Sequence, residues 1–314
     1  MAAHLSRICL LPLAVAMAQT PPPVWRWDFP QIQALVNKVR AGRDLTPKQW
    51  PNGARVAVAL SFDVDAETGF LRSGYYSPQA LSRGEYGPRV GVPRILKLAE
   101  TYQIPITFFI PAVSGQLHPE AVDAILRSPM KHEIGVHGWV HERITELGPE
   151  EERQLTRRAF EWWTARLGRK PMGIRTPSWD FTSETLAIIR ELGFLYDSSL
   201  MGDDRPYEIL REGKPTGLVE LPVEWILDDA AYYSYDRPSY AYFRTGDNDV
   251  YETYRAEFDK AYEERTLFLL TMHPFITGHR SRIAQLERLI VHIQSKPGVW
   301  FATHEQVARA VLPR

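Results

Sequence analysis

The segment that decides the fold is residues 56–67, which read VAVALSFDVDAE. Residues 56, 58, 60, 62 and 64 carry bulky apolar side chains, and residues 57, 59 and 61 carry small ones. Because side chains alternate along a strand, the pattern predicts a buried strand with a bulky face packed on helices and a small face inside a crowded barrel. Asp63 and Asp65 continue the small row and therefore share one face of the strand.

Two carboxylates at the exit of one strand are costly to bury, because like charges repel each other and lose hydration. A cation or hydrogen bonds must compensate if Asp63 and Asp65 are buried. The alternative interpretation is a solvated acidic turn after the strand. A third acid, Glu67, follows two residues later without a defined role.

Apolar runs alternate with amphipathic helices from residue 55 to the end of the chain. We predict helices near 92–102, 118–127, 150–167, 183–192, 249–264 and 281–294. We predict further strands near 104–112, 133–136, 173–176, 194–197, 218–226, 267–272 and 299–302. Such alternation predicts a parallel sheet with helical crossovers, and seven or eight units favour a closed or nearly closed barrel. A long polar loop is expected at 68–91.

Polar residues stand at or just past the ends of several predicted strands. They are Asp63 with Asp65, His137, Arg175, Asp197 and His273. In barrels of parallel strands the catalytic groups lie at the carboxyl ends of the strands, so these side chains are expected to converge on one mouth. His137 and His141 have a spacing at which both imidazoles can face one cation from a single helical turn. An unrelated pair of surface or capping histidines is the alternative.

Four short motifs occur in a fixed order: Phe62-Asp63-Val64-Asp65, His137-x-x-x-His141, Arg175-Thr176-Pro177-Ser178-Trp179 and Met272-His273-Pro274. Over roughly residues 55–311 they resemble the motifs of the polysaccharide deacetylases, the nodulation-protein-B-like homology domain of carbohydrate esterase family four. Variant details resemble the branch that holds peptidoglycan deacetylases, cyclic imide hydrolases and allantoinase-like proteins. These details are the Asp-x-Asp spacing, the tract 197–204 and the motif Trp225-x-x-Asp228-Asp229.

The resemblance implies an α/β fold, a distorted (β/α) barrel with about seven parallel strands, and a divalent metal ion, usually zinc. Asp65, His137 and His141 would hold the metal, and this three-residue set leaves a position open for water. All three ligand positions are intact in this sequence.

The resemblance also implies roles for other residues. Asp63 would be the general base, His273 would protonate the leaving nitrogen, and Arg175 would pair with Asp63 and orient it. Asp203 or Asp204 would orient a catalytic partner, and Trp179 and Trp225 would wall the substrate pocket. The alternatives are structural: an Asp63–Arg175 ion pair, a hydrogen-bonding His273 at a strand end, and core tryptophans. Asp228 and Asp229 are expected to be solvated or behind the site, and His279, His292 and His304 to lie at the surface.

Three regions are expected along the chain: a signal peptide at 1–18, an N-terminal extension at 19–54 that packs on the main domain, and the barrel at 55–311. Cys9 is the only cysteine and lies in the first region, so the mature chain would have no disulfide. A secreted or periplasmic location is expected, with a cytoplasmic one as the alternative. The net charge of -1 gives no electrostatic case for nucleic acid, and no second long apolar segment predicts a membrane span.

The function expected from these features is metal-dependent hydrolysis of a carbon–nitrogen amide bond. The first candidate is N-deacetylation of an N-acetylated sugar in peptidoglycan or another polysaccharide. The second is hydrolysis of small cyclic amides such as imides or ureides, of which allantoin is one, and the third is a catalytically inactive carbohydrate-binding barrel. The loop at 68–91 and the aromatic segment at 232–243 could roof the site and favour a small or end-of-chain substrate. A homo-oligomeric state is compatible with the resemblance.

Overall fold

The computed structural model describes residues 22–233, 235–236, 241–242 and 245–312. The signal peptide expected at 1–18, with Cys9, and part of the aromatic segment at 232–243 lie outside these residues. The chain divides into two compact units between Val36 and Asn37. In the described part of the first unit, a 3₁₀ turn spans Val24–Arg26 and helix α1 spans Phe29–Val36. All of the elements that follow belong to the second unit.

The strands of the described chain carry the labels β1 to β12 in chain order. They are β1 Val39–Asp44, β2 Val56–Asp63, β3 Thr107–Ile110, β4 Glu133–Val136, β5 Gly173–Ile174, β6 Tyr196–Asp197, β7 Tyr207–Arg211, β8 Lys214–Glu220, β9 Tyr235–Asp236, β10 Ala241–Tyr242, β11 Leu267–Met272 and β12 Val299–Phe301. Strands β9 and β10 form a separate antiparallel pair.

The helices of the second unit carry the labels α2 to α13. They are α2 Thr68–Arg72, α3 Pro78–Tyr86, α4 Val92–Tyr102, α5 Ala112–Leu117, α6 Pro119–Arg127, α7 Pro149–Leu167, α8 Ser183–Leu192, α9 Asp229–Tyr233, α10 Asp247–Glu264, α11 Pro274–Thr277, α12 Arg280–Gln294 and α13 His304–Val311. Shorter helical turns occupy Pro51–Gly53, Gly87–Gly91, Ile144–Glu146, Pro177–Trp179 and Trp225–Leu227. None of the helices that the structure describes has both the length and the apolar character needed to cross a membrane.

The main sheet follows the order β1-β7-β8-β6-β5-β4-β3-β2-β11, and β12 pairs with the start of β2. Neighbours from β8 through β2 to β11 run parallel, whereas β7 and β1 add an antiparallel edge. A single bridge from Asp228 to Thr271 brings the chain after β8 to the free edge of β11, so the sheet curls toward closure. The predicted α/β class and (β/α) barrel are therefore confirmed.

The two faces of β2 belong to two separate core clusters. Val56, Val58, Leu60 and Phe62 pack with residues of the surrounding helices in the larger cluster. Ala57 and its small neighbour Ala59 pack with Phe109, Tyr196 and Val219 from three other strands. The small face therefore lies inside the curled sheet, where there is room only for short side chains, as the alternation of sizes predicts.

Two segments differ from the sequence expectation. Strand β1 lies within the extension predicted at 19–54, yet it pairs with β7 as the edge of the main sheet. The predicted loop at 68–91 is instead a chain of helical segments, with Ser77 capping α3 through a bond from the Ala80 amide. The glycines and tyrosines of this segment resemble loop composition, but Gly84 and Gly91 are needed because a Cβ at either would lie within 3 Å of a neighbouring backbone.

Candidate active site

One cavity of about 270 Å³ collects most of the polar residues from the strand exits. Asp63 ends β2, His137 follows β4, and His273 follows β11. Because these strands run parallel, their carboxyl ends reach the same rim of the sheet. The cavity is also lined by Asp65, His141 and the two tryptophans Trp179 and Trp225.

Asp65, His137 and His141 form a buried set that we call the ligand group. Asp65 Oδ1 lies 3.4 Å from His137 Nε2, and Asp65 Oδ2 lies 3.5 Å from His141 Nε2. His137 Nδ1 is bonded to the carbonyl oxygen of Arg175 at 2.7 Å, which leaves Nε2 free to face the cavity. Among the described residues, Asp65 Oδ1 has no hydrogen-bond partner. One ligand atom from each residue falls within 4.8 Å of the others, so the group fits a divalent metal ion.

The pKa shifts of Asp65 and His141 favour the protonation states that bind a metal. Burial raises the pKa of Asp65, but the neighbouring charges of His141, His273 and His137 outweigh it and hold the pKa well below the usual range. Burial lowers the pKa of His141 to about 4. Burial also lowers the pKa of His137, yet Asp63 and Asp65 raise it overall, so this imidazole favours a proton that a bound cation would replace. An ionised carboxylate and a neutral imidazole are the forms that bind metal.

The histidine pair does not lie on a helical turn, and that interpretation is wrong. Residues 137–141 form a loop after β4, with Gly138 at φ 72° and His141 at φ 60°. The Glu142 carboxylate accepts hydrogen bonds from the amides of Trp139 at 3.0 Å and Val140 at 2.8 Å. The Glu142 side chain thus takes the place of the backbone carbonyl groups to which these amides would bond in a helix. The loop brings both imidazoles to Asp65.

Four residues around the site that are not glycine have a positive φ. They are Ala66 at 50°, His141 at 60°, Ser178 at 56° and Trp179 at 59°. Such backbone conformations cost roughly 1–3 kcal/mol each and persist where the surrounding structure enforces them. Their concentration beside the cavity indicates that the fold fixes the directions of these side chains.

Asp63 is held by a fully buried arginine. Arg175 Nη1 donates to Asp63 Oδ1 at 2.7 Å and to Ser61 Oγ at 3.0 Å. The guanidinium also donates to the carbonyl oxygen and the hydroxyl of Ser198, both at 3.0 Å. Arg175 itself does not line the cavity, whereas Asp63 does, with Oδ2 3.8 Å from His137 Nε2. The arginine therefore fixes one carboxylate oxygen and leaves the other beside the ligand group.

His304 was expected at the surface, and the structure places it in the interior behind Arg175. It is 0% exposed, and its Nε2 lies 3.3 Å from Arg175 Nη2. Burial and the charge of Arg175 hold the pKa of His304 well below its usual value, so the neutral ring accepts a bond from the guanidinium. No motif marks this histidine, because its role depends on α13 returning beneath β2.

Asp228, Asp229 and His273 form a second buried set that we call the acid group. Asp229 Oδ1 is bonded to His273 Nδ1 at 2.7 Å, and Asp229 Oδ2 accepts from the His273 amide at 3.0 Å and from Thr277 Oγ1 at 2.5 Å. Asp228 Oδ1 accepts from the Ala230 amide at 2.7 Å. These bonds aim His273 Nε2 at Asp65 Oδ2, 3.8 Å away.

The charge balance of the acid group favours a protonated imidazole. Burial lowers the pKa of His273, but the charges of Asp229 and Asp228 outweigh it and raise the pKa well above its usual value. Burial raises the pKa of Asp228 to about 7, and the neighbouring Asp229 charge adds to the effect. His273 is therefore suited to donate a proton into the cavity.

Asp203 and Asp204 do not reach the catalytic cavity. They line a separate cavity near α10, and Asp203 accepts a bond from the Arg205 amide at 3.1 Å. Asp229, in the acid group, is instead the aspartate that is bonded to His273. The two Asp-Asp pairs look alike in sequence, but only 228–229 stands beside the end of β11.

The two tryptophans assigned to the pocket stack on each other at its wall, with ring centroids 4.1 Å apart. Trp179 is buried, whereas Trp225 is 46% exposed. Both line the cavity, so the structure brings them to the place that the resemblance implies. Glu67 pairs instead with His118, at 2.7 Å between Oε2 and Nε2, and does not line the cavity.

A curled barrel with these two groups at its rim is typical of metal-dependent hydrolases. A family model described as "Polysaccharide deacetylase" matches residues 85–196. A peptidoglycan deacetylase of Helicobacter pylori is 30% identical over 286 residues, which cover 82% of this chain and 97% of the relative. The chain therefore belongs to the polysaccharide deacetylase family, whose members are hydrolases that act on carbon–nitrogen bonds.

Solved structures agree with this assignment. The chain is similar to a "putative polysaccharide deacetylase from Mycobacterium smegmatis", with 36% identity, a TM-score of 0.77 and coverage of 85% of this chain and 93% of the other. It is also similar to "Puue Allantoinase", with 26% identity, a TM-score of 0.73 and coverage of 85% and 96%. The family predicted from the four motifs is confirmed.

Proposed function

We propose that this chain is a zinc-dependent deacetylase that hydrolyses the N-acetyl group of an amino sugar in peptidoglycan or another polysaccharide. The observation that carries the proposal is the arrangement of one cavity. The ligand group lies between Asp63, whose free carboxylate oxygen faces it, and His273, whose Nε2 faces it from the acid group. A base and an acid on two sides of a metal site are what amide hydrolysis requires.

Asp65, His137 and His141 would hold the ion through one oxygen and two Nε2 atoms. When bound, a divalent metal supplies Lewis-acid chemistry: it polarises a carbonyl group and makes water a better nucleophile near neutral pH. Zinc suits a site of one carboxylate and two imidazoles that leaves a position open.

The chain's own residues then move the protons. Asp63 Oδ2 accepts the proton of the water whose oxygen attacks the carbonyl carbon, while Arg175 holds Oδ1 in place. His273 donates its Nε2 proton to the amide nitrogen as the carbon–nitrogen bond breaks, which yields acetate and a free amine. Asp229 keeps the imidazole oriented through Nδ1 and favours its protonated form before this transfer.

The relatives support the sugar substrate. The Helicobacter pylori relative is named a peptidoglycan deacetylase, and its similarity covers nearly its whole length. Peptidoglycan lies outside the cytoplasm, which agrees with the signal peptide and the secreted or periplasmic location predicted from the sequence. The secreted or periplasmic location and the formation of a homo-oligomer both stay predictions.

Hydrolysis of small cyclic amides is the second candidate. The similarity to "Puue Allantoinase" favours it, and so does the shape of the cavity. Segment 68–91 contributes Phe70, Tyr75 and Arg83 to the cavity wall, which also includes the stacked Trp179 and Trp225. A cavity walled by aromatic side chains of separate segments suits a small molecule or the end of a chain.

A substrate panel tests the proposal. The zinc-loaded protein is incubated with chitooligosaccharides, peptidoglycan fragments, succinimide, hydantoin and allantoin, and both acetate release and ring opening are monitored. We expect acetate from the N-acetylated sugars and loss of that activity after chelation. Ring opening without acetate release would assign the chain to the second candidate. Glycan binding with no turnover of any compound would indicate an inactive carbohydrate-binding barrel.

A further inference from the structure

Arg72 is a cation in the wall of the catalytic cavity that the mechanism does not use. It is the last residue of α2, it is half-buried, and its Nη1 donates to Ser178 Oγ. Its Nε is buried and has no hydrogen-bond partner among the described residues. No described carboxylate lies within 4.0 Å of its guanidinium, so the charge has no ion-pair partner in this part of the chain.

An unpaired guanidinium at this depth is energetically unfavourable. Burial lowers the pKa of Arg72, and the charge of Arg143 lowers it further, while Asp65, Asp180 and Glu146 oppose the shift from a distance. Arginine nevertheless stays charged in proteins, so the lost hydration must be compensated by another group. The contrast with Arg175 is direct, because that buried guanidinium is bonded to Asp63 and to four further acceptors.

Further cationic side chains line the catalytic cavity and the adjoining one. Arg83 lines both the catalytic cavity and an adjoining one, and the second cavity is also lined by His279 and Arg282. Burial lowers the pKa of His279, and the charges of Arg282, Arg94 and Arg83 lower it further. These side chains add positive charge to the walls near Arg72, and positive charge in a cleft with low-dielectric walls attracts anions.

The acids of the cavity do not neutralise Arg72. Asp63 is bonded to Arg175, Asp65 belongs to the ligand group, and Asp228 belongs to the acid group. The guanidinium edge formed by Nε and Nη2 makes no hydrogen bond with the described residues. Because Nε is buried, a carboxylate in the cavity would pair with the guanidinium through Nη2, by a charged hydrogen bond.

Resting on the proposed deacetylation, we propose that Arg72 binds a carboxylate of the substrate. The acetylated sugar that this site accepts would then carry an acidic substituent close to the amide that is cleaved. The lactyl ether of N-acetylmuramic acid is such a substituent, whereas chitooligosaccharides have none. Arg72 thus selects acidic N-acetylated sugars over neutral ones.

Binding measurements separate this proposal from the deacetylation itself. The probes are the disaccharide N-acetylglucosaminyl-N-acetylmuramic acid and its methyl ester, which differ only in the charge of the carboxyl group. Their dissociation constants are measured by calorimetry on zinc-loaded protein that carries Asp63→Asn, so that bound sugar is not turned over. We expect the acid to bind ~10- to 100-fold more tightly than the ester, as a charged hydrogen-bonded pair provides.

Variants on this background identify the residue. Arg72→Gln, which keeps a donor for Ser178, should weaken the binding of the acid to the level of the ester and leave the affinity for the ester unchanged. Arg72→Lys should keep part of the discrimination because it keeps the charge. The control is Arg89→Gln, since Arg89 lies in the same segment, is exposed and pairs with Glu85 outside the cavity. Arg89→Gln should bind both probes with the same affinities as the Asp63→Asn protein.

Three results would overturn the proposal: equal affinity of acid and ester, an equal loss for both probes in Arg72→Gln, or no measurable binding of the acid. None of them depends on turnover. If the substrate panel shows no deacetylation while the acid still binds through Arg72, the proposed function fails and the carboxylate site stands. If acetate is released but acid and ester bind alike, the function stands and the carboxylate site fails.

Discussion

The ligand group and the acid group are alike in composition and differ in how their atoms are bonded. Each consists of buried aspartate and histidine side chains with one ligand atom apiece within 4.8 Å. In the acid group, Asp229 accepts bonds from the His273 ring, the His273 amide and Thr277. In the ligand group, Asp65 Oδ1 has no partner among the described residues.

This difference supports the functions proposed for the two groups. A carboxylate whose lone pairs are already used by protein donors is poorly placed to bind a metal, whereas one that is buried and unpartnered needs a cation. Proximity of ligand-type residues is therefore insufficient to identify a metal site. The hydrogen bonds of the candidate atoms must also be counted, and they favour metal binding by the ligand group and proton transfer by the acid group.

The largest expected effect is that of Asp63→Asn. The amide keeps the size of the side chain and can still contact Arg175, but it cannot accept the proton of the attacking water. We expect kcat for acetate release to fall by ~10²- to 10⁴-fold with an unchanged zinc content. Near-normal turnover would remove Asp63 from the role of base and leave it as the partner of Arg175.

Asp229→Asn tests the acid group and should have the next largest effect. Loss of the Asp229 charge lowers the pKa of His273 and weakens its orientation, so kcat should fall by roughly 10²-fold while zinc content is unchanged. The matched control is Asp203→Asn, the same substitution in the other Asp-Asp pair, which should leave kcat unchanged. Equal losses in the two variants would contradict the assignment of Asp229.

The outline of the site was predictable because it follows from short-range rules. Alternation along β2 places Asp63 and Asp65 on one face, and parallel strands bring His137 and His273 to the same rim. The bounds Glu133–Val136 and Leu267–Met272 match the predicted strands, since both are short, mostly apolar runs that a histidine follows. Such features depend only on neighbours in the sequence.

The remaining features depend on contacts between distant parts of the chain. The choice of Asp229 over Asp203 is made by the bridge between Asp228 and Thr271, which no local pattern encodes. His304 comes to lie behind Arg175 only because α13 packs against β2. Segment 68–91 has the composition of a loop, and its helices are stabilised by packing on α11 rather than by propensity.

Asp197 and Glu220 form a further pair of fully buried acids. Unlike the ligand group and the acid group, this pair includes no histidine. Burial raises the pKa of Asp197 to about 6, and burial together with the Asp197 charge raises that of Glu220 well above its usual value. The folded protein therefore holds a proton that the unfolded chain releases above about pH 4. The stability from this proton is complete below pH 4 and is lost as the pH rises through 6 and beyond.

Glu220→Gln should reduce this dependence, since the amide carries no charge at any pH and only the buried Asp197 still titrates. The substitution changes the free energy of unfolding at each pH. We expect that change to be more favourable at pH 8 than at pH 5, by on the order of 1 kcal/mol. Urea unfolding at the two pH values measures it, with Glu161→Gln, an exposed glutamate on α7, as the control. An unchanged slope of stability against pH would show that the pair does not share a proton.

The most direct test of the assignment is the zinc content of two variants. His141→Ala and Asp229→Asn are loaded with zinc, desalted in the same way as the unchanged protein, and measured by elemental analysis. The assignment predicts that His141→Ala loses the ion, whereas Asp229→Asn retains as much as the unchanged protein. Retention of zinc by His141→Ala, or its loss from Asp229→Asn, would show that the metal does not belong to the ligand group alone.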